Sequence, residues 1–401
     1  MVKICTWPKA LFREEVDLLA GFAFKSKAFT DDTKDIHLVK GADVQQGFIS
    51  WDNCRRWPHP ASVRLERYWL QENDVVLAMD RPWVPSGLKW AWIRRAAPKS
   101  LLVQRVARLR GRSGLATEYL RYLIGSPSFT DYIRPIVTGV NVPHISGEQI
   151  LGFSFLKPTL PTQRKIAGIL SAYDDLIENN LRRIKILEEM AQNLYREWFV
   201  KFRFPGHQNT RFVDSLLGKI PEGWEVTTLG EACCLNYGKA LKKEDRRDGG
   251  IPVFGSSGVV GKHNLSLVKG PGIIVGRKGN VGSVFWCDKD FFVIDTAYYV
   301  TSKLPLRFLF YLFPTLNFIN SDAAVPGLSR NQAYTLELCI PNTNLLATFC
   351  ELADMFERQA SNLHLQNSVL RQTRDLLLPK LISGEVDVSE LDITLPEEAA
   401  T

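Results

Sequence analysis

The stretch that opens Pro161-Thr162-Gln163-Arg164-Lys165-Ile166-Ala167-Gly168-Ile169-Leu170 and runs on to Val200 decides how this chain is built. Ile166, Leu170, Tyr173, Ile177, Asn180, Ile184, Leu187, Ala191, Leu194 and Trp198 follow one another at steps of four and three. That is the spacing of a helix pressed along its length against another helix. After Gly168 neither glycine nor proline interrupts the run. At the usual rise per residue such a helix is roughly 60 Å long, more than the diameter of a small domain. The spacing therefore predicts a spacer as well as a core element, with its end at Phe204-Pro205-Gly206, where proline cannot continue the ladder. A long core helix inside one large fold accounts for the same pattern.

A search for internal repetition bears on that choice. Shifted by 183 positions, Ser146 falls on Ser329, Gln149 on Gln332, Pro158 on Pro341, Ile166 on Phe349, Tyr173 on Phe356, Leu187 on Leu370 and Leu194 on Leu377. The second copy carries Phe349, Phe356, Leu363, Leu370 and Leu377 at strict sevens, with Ala353, Ala360, Asn367, Arg374 and Leu381 in the other column, and stops at Ser383-Gly384. The fold class expected is α+β: two mixed α/β domains separated by two long antiparallel coiled-coil helices, related by an internal pseudo-twofold repeat. The boundaries that follow are a first domain over 1–158, a central helix over 159–205, a second domain over 206–341, a distal helix over 342–384 and an acidic tail over 385–401. In an antiparallel register Asn180 faces Asn367, Tyr173 faces Arg374 and Trp198 lies beside Phe349. A paired amide in a seam fixes register at some loss of stability.

With 401 residues, 45% of them apolar and 23% charged, the chain has the composition of a globular protein with room for two or three cores. No apolar run approaches the roughly 18 residues of a membrane span, and Arg13, Glu14, Glu15 and Asp17 stand where a signal peptide would be apolar. A cytoplasmic location is expected. Seven cysteines without a C-x-x-C pair, and six scattered histidines, signal neither a disulfide framework nor a zinc site.

The net charge of +7 is unevenly spread: Lys and Arg outnumber Asp and Glu by 23 to 15 over 1–158, by 8 to 6 over 159–205 and by 15 to 12 over 206–341, and fall to 4 against 10 over 342–401. Two basic blocks suit a polyanion such as DNA, although many proteins without such a partner reach this surplus. In the first block short strands are expected over 36–50, 74–79 and 101–109, and helices over 118–125 and 129–137. Its candidate DNA contacts are Lys25 and Lys27, interleaved with aromatic residues, Arg55 and Arg56 between two tryptophans, and Arg81 with Trp83 after an apolar strand. In the second block, Gly276-Arg277-Lys278-Gly279-Asn280-Val281-Gly282 places two cations and an amide where bare backbone allows a close approach. Lys239, Lys242, Ser256 and Ser257 complete that set beside Arg277, Lys278 and Asn280. Plain turns in a β-rich domain are the competing explanation. The stretch Asp74 to Arg81 corresponds to the strand before Arg277, so two similar frames carry different tips, as two readers of two sequences would need.

No phosphate-binding P-loop, dinucleotide fingerprint, nucleophile elbow or H-E-x-x-H occurs. Asn141-Val142-Pro143-His144 is only superficially like the Asn-Pro-Pro-aromatic motif of DNA adenine methyltransferases, and the glycine-rich cofactor motif is missing. No catalytic centre is expected.

Leu160-Pro161-Thr162-Gln163-Arg164-Lys165-Ile166, followed by Asp174-Asp175-Leu176-Ile177-Glu178-Asn179-Asn180 and Leu194-Tyr195-Arg196-Glu197-Trp198-Phe199, resembles the central conserved region of type I restriction-modification specificity subunits. Ile220-Pro221-Glu222-Gly223-Trp224 and Leu376 to Gly384 are similar to later landmarks of that family, whereas Asn344 to Ala347 departs from its Pro-x-x-Gln pattern. The resemblance spans essentially the whole chain. It implies two target recognition domains, each binding one half of a bipartite DNA sequence, and paired helices that set the gap and dock two methyltransferase subunits, to which restriction and translocase subunits attach. S-adenosylmethionine, ATP and Mg would then belong to those partners, with no cofactor or metal on this chain. A stand-alone DNA-binding regulator and a protein scaffold with an incidental basic surplus are the rival readings.

Overall fold

The computed structural model describes residues 7–58, 65–139, 142–318 and 327–393. Cys5, Asn141 and the end of the acidic tail from 394 lie outside the described residues. The chain forms two compact units, Met1–Asn179 with Asn367–Thr401, and Asn180–Gln366. Each unit therefore contains a mixed α/β body and one end of each long helix.

The two bodies share one frame. In the first unit a four-stranded antiparallel sheet runs in the order Val16–Ala20, Val106–Gly111, Val75–Ala78, Trp90–Trp92. In the second the order is Cys233–Tyr237, Ala297–Ser302, Gly272–Gly276, Val284–Cys287. Beside each lies a three-stranded sheet with one antiparallel and one parallel pair. Ile36–Val39 sits between Arg55–Trp57 and Ser100–Leu102, and Ile251–Gly255 between Gly258–His263 and Phe292–Val293. The third strand of each large sheet, Val75–Ala78 or Gly272–Gly276, is buried at every residue, which is why both read as unbroken apolar runs rather than alternating ones.

Two sequence expectations are refined by local backbone. The run expected over 101–109 is two strands, because the chain turns at Val103-Gln104-Arg105 with Arg105 at φ 66° and the Val106 amide donating to the Val103 carbonyl. Of 36–50 only Ile36–Val39 is a strand; a turn follows, closed by the Asp43 carboxylate, which accepts from the Lys40 amide.

The first long helix is Leu160–Tyr195, extended by a π turn over Arg196–Val200, and the second is Thr343–Ser383. The first stops before the expected proline. Trp198 and Phe199 are drawn into the core of the second unit, and Phe202 takes a left-handed φ of 55° with its ring 5.4 Å from that of Trp224. The second ends where expected, with Gly384 at φ 75°.

Within each unit the helix ends pack antiparallel. In the first, Ile166, Ala167 and Leu170 share a core with Leu378, Leu381 and Ile382. Arg374, which the seam register sets opposite Tyr173, donates to the neighbouring Asp174 at 2.6 Å. Asn367, 1% exposed, donates to the Ile177 carbonyl at 3.3 Å. In the second unit Ile184 packs on Ala360 and Leu363, with Leu187 at the edge, and Trp198 lies 6.3 Å from Phe349. Leu194 and Phe356 border the core of this unit, and Leu377 that of the first. Tyr173 and Leu370 are half-buried, and Asn180 is buried.

One contact recurs between body and helix. The Tyr122 hydroxyl, itself accepting from Arg121, donates to Asp174 at 2.7 Å, and the Tyr311 hydroxyl donates to Glu357 in the second unit. Asp174 and Glu357 are related by the 183-residue repeat. Arg121 lies over Trp92 at 4.8 Å, and Arg307, bonded to Asp354 at 2.7 Å, lies over Trp286 at 3.7 Å. Each body is thus pinned to a helix carboxylate by a buried tyrosine and an arginine stacked on the sheet's tryptophan.

Candidate nucleic-acid interface

The tip of the second frame is built where the strand Gly272–Gly276 runs out. The amides of Arg277 and Lys278 both donate to the Thr296 carbonyl, and the Arg277 carbonyl accepts from Leu328 at 2.8 Å. The chain then reverses through Gly279 and Gly282, at φ 81° and 75°. A Cβ on Gly276 would fall 2.1 Å from the Asn280 carbonyl oxygen, so the turn can close only on glycine.

Arg277, Lys278, Ser256, Ser257 and Asn280 come together here. The Asn280 amide donates to the Ser257 hydroxyl at 3.0 Å, and the Ser256 carbonyl accepts from Ser283 at 2.6 Å. Lys278 and Ser257 are exposed. Lys239 is exposed two residues beyond Tyr237, and Lys242 is exposed before a short turn, with no described contact to this group.

Beside the tip is a pocket of about 590 Å³ lined by Tyr237, Arg277, Lys278, Tyr298, Arg330 and Asn331, among others, and among the described residues by no carboxylate. Tyr237 and Tyr298 are cross-strand partners with ring centroids 5.1 Å apart. The Arg277 guanidinium lies 4.8 Å from the Tyr237 ring and donates to the Asp295 carbonyl at 3.1 Å, and that of Arg330 lies 5.0 Å from the same ring. The Tyr298 hydroxyl donates to the Leu328 carbonyl. Burial, with Tyr237 beside it, pushes the Tyr298 phenol up to about 12 against the opposing charges of Arg277 and Arg330. Tyr237, Tyr298 and Arg330 were absent from the sequence-derived set. The signal lay in Ser329-Arg330-Asn331-Gln332, the repeat's counterpart of Ser146 to Gln149.

The first frame holds different chemistry at the same place. Met79 receives the Ile145 amide as Arg277 receives that of Leu328, and Asp80 pairs with His144 as Lys278 pairs with Gly327. Asp80 therefore occupies the position of Lys278. Its carboxylate is bound at 2.6 Å by His144 Nδ1 and at 2.6 Å by Arg105. Burial pushes the Asp80 carboxyl up, but the bonds from His144 and Arg105 outweigh it and hold it below the usual carboxylate range. By register, Ala20 and Ala107 stand where Tyr237 and Tyr298 stand, and the cap pair Ser146/Ser329 sets Gly147 against Arg330. The corresponding pocket walls are thus small.

Arg81 follows Asp80 in a left-handed φ of 45° and is exposed; Trp83 lies in a hairpin, with Arg134 over its ring at 5.6 Å. Arg55 and Arg56 belong to the smaller sheet. Arg56 donates to the Thr33 carbonyl, and Arg55 lies 3.5 Å from Asp31 in an exposed pair that contributes little. Lys25 and Lys27 are exposed close by in sequence to Phe24 and Phe29, both of which pack on Trp57. Among the described residues no hydrogen bond, ion pair or ring contact joins the Arg55 group to the Asp80 tip. No cluster of three or more potential metal ligands occurs among them either, and no described helix is long and apolar enough to cross a membrane.

Residues 221–338 match the family described as type I restriction modification DNA specificity domain. The chain is similar to the type I restriction enzyme MjaIX specificity subunit of Methanocaldococcus jannaschii, at 26% identity over 70% of this chain and 71% of that one. It is also similar to the EcoAI specificity subunit of Escherichia coli, at 34% identity over 42% of this chain and 28% of that one. Among solved structures, the type I restriction-modification S subunit from M. genitalium shares the fold with a TM-score of 0.59 at 17% identity, over 95% of this chain and 97% of the other.

Proposed function

We propose that this chain, which belongs with the specificity subunits of type I restriction-modification systems, reads a bipartite DNA target, one half with each α/β body. The observation that carries this reading is the duplicated frame with unlike tips: the same strand order and main-chain bonds present Asp80, His144 and Arg105 in one body and Arg277, Lys278 and Arg330 in the other. A shared scaffold with different donor and acceptor sets is what two base sequences require, since base edges differ in just those patterns.

In this reading the residues that contact DNA are Lys25, Lys27, Arg55, Arg56, Arg81 and Trp83 in the first body, and Lys239, Lys242, Ser256, Ser257, Arg277, Lys278 and Asn280 in the second. The long helices set the gap between half-sites and dock two methyltransferase subunits, through which restriction and translocase subunits attach. Exposed apolar side chains support a docking role. Leu176, Ile186 and Met190 fall on one arc of the first helix, and Leu365, Val369 and Leu376 on one arc of the second, all at 45% exposure or more. The chain is a specificity subunit rather than an enzyme; methyl transfer and ATP-driven cleavage are the work of its partners, in the cytoplasm.

Mapping methylated adenines across the genome of cells carrying this chain with its modification subunits tests the proposal. Two fixed half-sites at one constant gap are expected. A single uninterrupted motif, or methylation unchanged by removal of this chain, would overturn it.

A further inference from the structure

The pocket between Tyr237, Tyr298 and Arg330 holds more positive charge than its surroundings explain. Arg277, Lys278 and Arg330 all line it, and no carboxylate lies within ion-pair distance of any of the three among the described residues. Like charges gathered at a partly desolvated site repel one another, and the repulsion persists unless an anion joins them. The Arg330 Nε is buried and has no hydrogen-bond partner, a further cost in the free chain. The two guanidinium groups lie over the tyrosine rings, Arg277 at 4.8 Å and Arg330 at 5.0 Å from the Tyr237 centroid, a contact that uses none of their N–H groups.

We propose that this pocket is a phosphate-binding site that grips one phosphodiester of the DNA strand, with Arg330 and Arg277 as its guanidinium donors, the latter through the N–H groups that Asp295 leaves over, and Lys278 as its point charge. The inference rests on the DNA-reading function proposed above and assigns this site to the backbone rather than to a base. A tetrahedral oxyanion accepts from several convergent cations at once, as this pocket provides. Guanine recognition needs both prongs of an arginine. Arg277 already spends one N–H on the Asp295 carbonyl and packs against Tyr237, so it is poorly placed to fork onto a base edge. The first body has Ala20, Ala107 and Gly147 at the matching places, so among the described residues it lacks the tyrosines and the second arginine of this site. The grip thus belongs to one half-site.

The test uses the full-length chain with its modification subunits and a duplex carrying the mapped half-sites. For Arg330→Gln, the slope of log affinity against log salt falls by about 0.9, the signature of one lost phosphate contact, and discrimination between bases is unchanged. Arg330→Lys keeps the slope. On wild-type protein, methylphosphonate substituted at one phosphate after another weakens binding at a single position of the second half-site, and that position has no further effect in Arg330→Gln. An unchanged slope in a variant that still binds would overturn the proposal, as would loss of discrimination at one base pair or a methylphosphonate scan without a sensitive position. Inorganic phosphate bound by the wild-type chain, with the DNA salt slope unaltered, would make this a free-anion site and overturn the DNA assignment. Failure of the wild-type complex to distinguish the mapped duplex from a scrambled one would instead break the underlying function.

Discussion

The two α/β bodies agree in what is buried and differ in what is presented. Val75–Ala78 and Gly272–Gly276 occupy the same place in the same sheet order, and each is followed by a residue, Met79 or Arg277, whose carbonyl receives the amide of Ile145 or Leu328. Beyond that point one body has a carboxylate satisfied by an arginine and a histidine, and the other has three cations between tyrosines. Sheet pairing and apolar burial determine the frame and tolerate a wide range of charged tip groups, because those groups belong to no apolar core. A duplicated fold can therefore keep its geometry while its two ends acquire unrelated chemistry.

The largest effect expected on mutation lies in how each body is pinned to its helix. Asp174 is 5% exposed and accepts from both Tyr122 and Arg374, whereas the repeat-related Glu357 is half-buried and accepts from Tyr311. Asp174→Ala leaves the buried Tyr122 hydroxyl without its acceptor and Arg374 with Asp375 alone, and should cost about 2 kcal/mol. Glu357→Ala should cost about 1 kcal/mol, the ordinary worth of one hydrogen bond. Denaturant titration of the full chain reads both as shifts in midpoint at constant slope. Equal losses would show that the two attachments are equivalent despite their unequal burial.

The tips differ next. Arg277→Ala and Lys278→Ala should each weaken binding roughly tenfold, about 1.4 kcal/mol, through the backbone of the second half-site, and leave base discrimination in both half-sites unchanged. Binding to duplexes with methylphosphonates placed in one half-site at a time decides the matter. A lost sensitivity spread equally over both half-sites would remove the division of labour between the bodies.

The helices were legible because a seam repeats within a few turns, and Ile166, Leu170 and Ile177 are buried where the heptad puts them. The buried strands were legible as apolar runs. The pocket was not, since its walls come from Tyr237, Arg277, Tyr298 and Arg330, which only sheet register brings together. Comparison of the halves at one offset also misses it. The offset is 183 at Ser146 and Ser329 but 191 at Ala107 and Tyr298, 198 at Met79 and Arg277, and 217 at Ala20 and Tyr237, because loops of different length separate matching strands. The 41-residue second helix begins at Thr343 although its Pro-x-x-Gln signal is absent, since its amphipathic seam suffices once Phe349 and Ala353 are fully buried.

The smallest expected effect separates the tips by pH. The Asp80 carboxyl sits below its usual range because the bonds from His144 and Arg105 outweigh burial. A carboxyl depressed by folding contributes stability in full above its unfolded value, about 3.9, and loses it as the pH falls through the lower folded value. Wild-type protein should thus lose a small increment of stability as the pH falls below about 4 that Asp80→Asn does not lose. The increment is small because Asp80 lies near the surface, where solvent screens the pair. Lys278→Gln, at the matching place in the other body, should leave the acid limb unchanged, since no carboxylate depends on it among the described residues. Paired denaturant titrations across the acid range measure both. Parallel acid limbs for wild type and Asp80→Asn would mean that the His144 and Arg105 contacts to Asp80 contribute nothing to folding, and the first tip would then be as free to rearrange around DNA as the second.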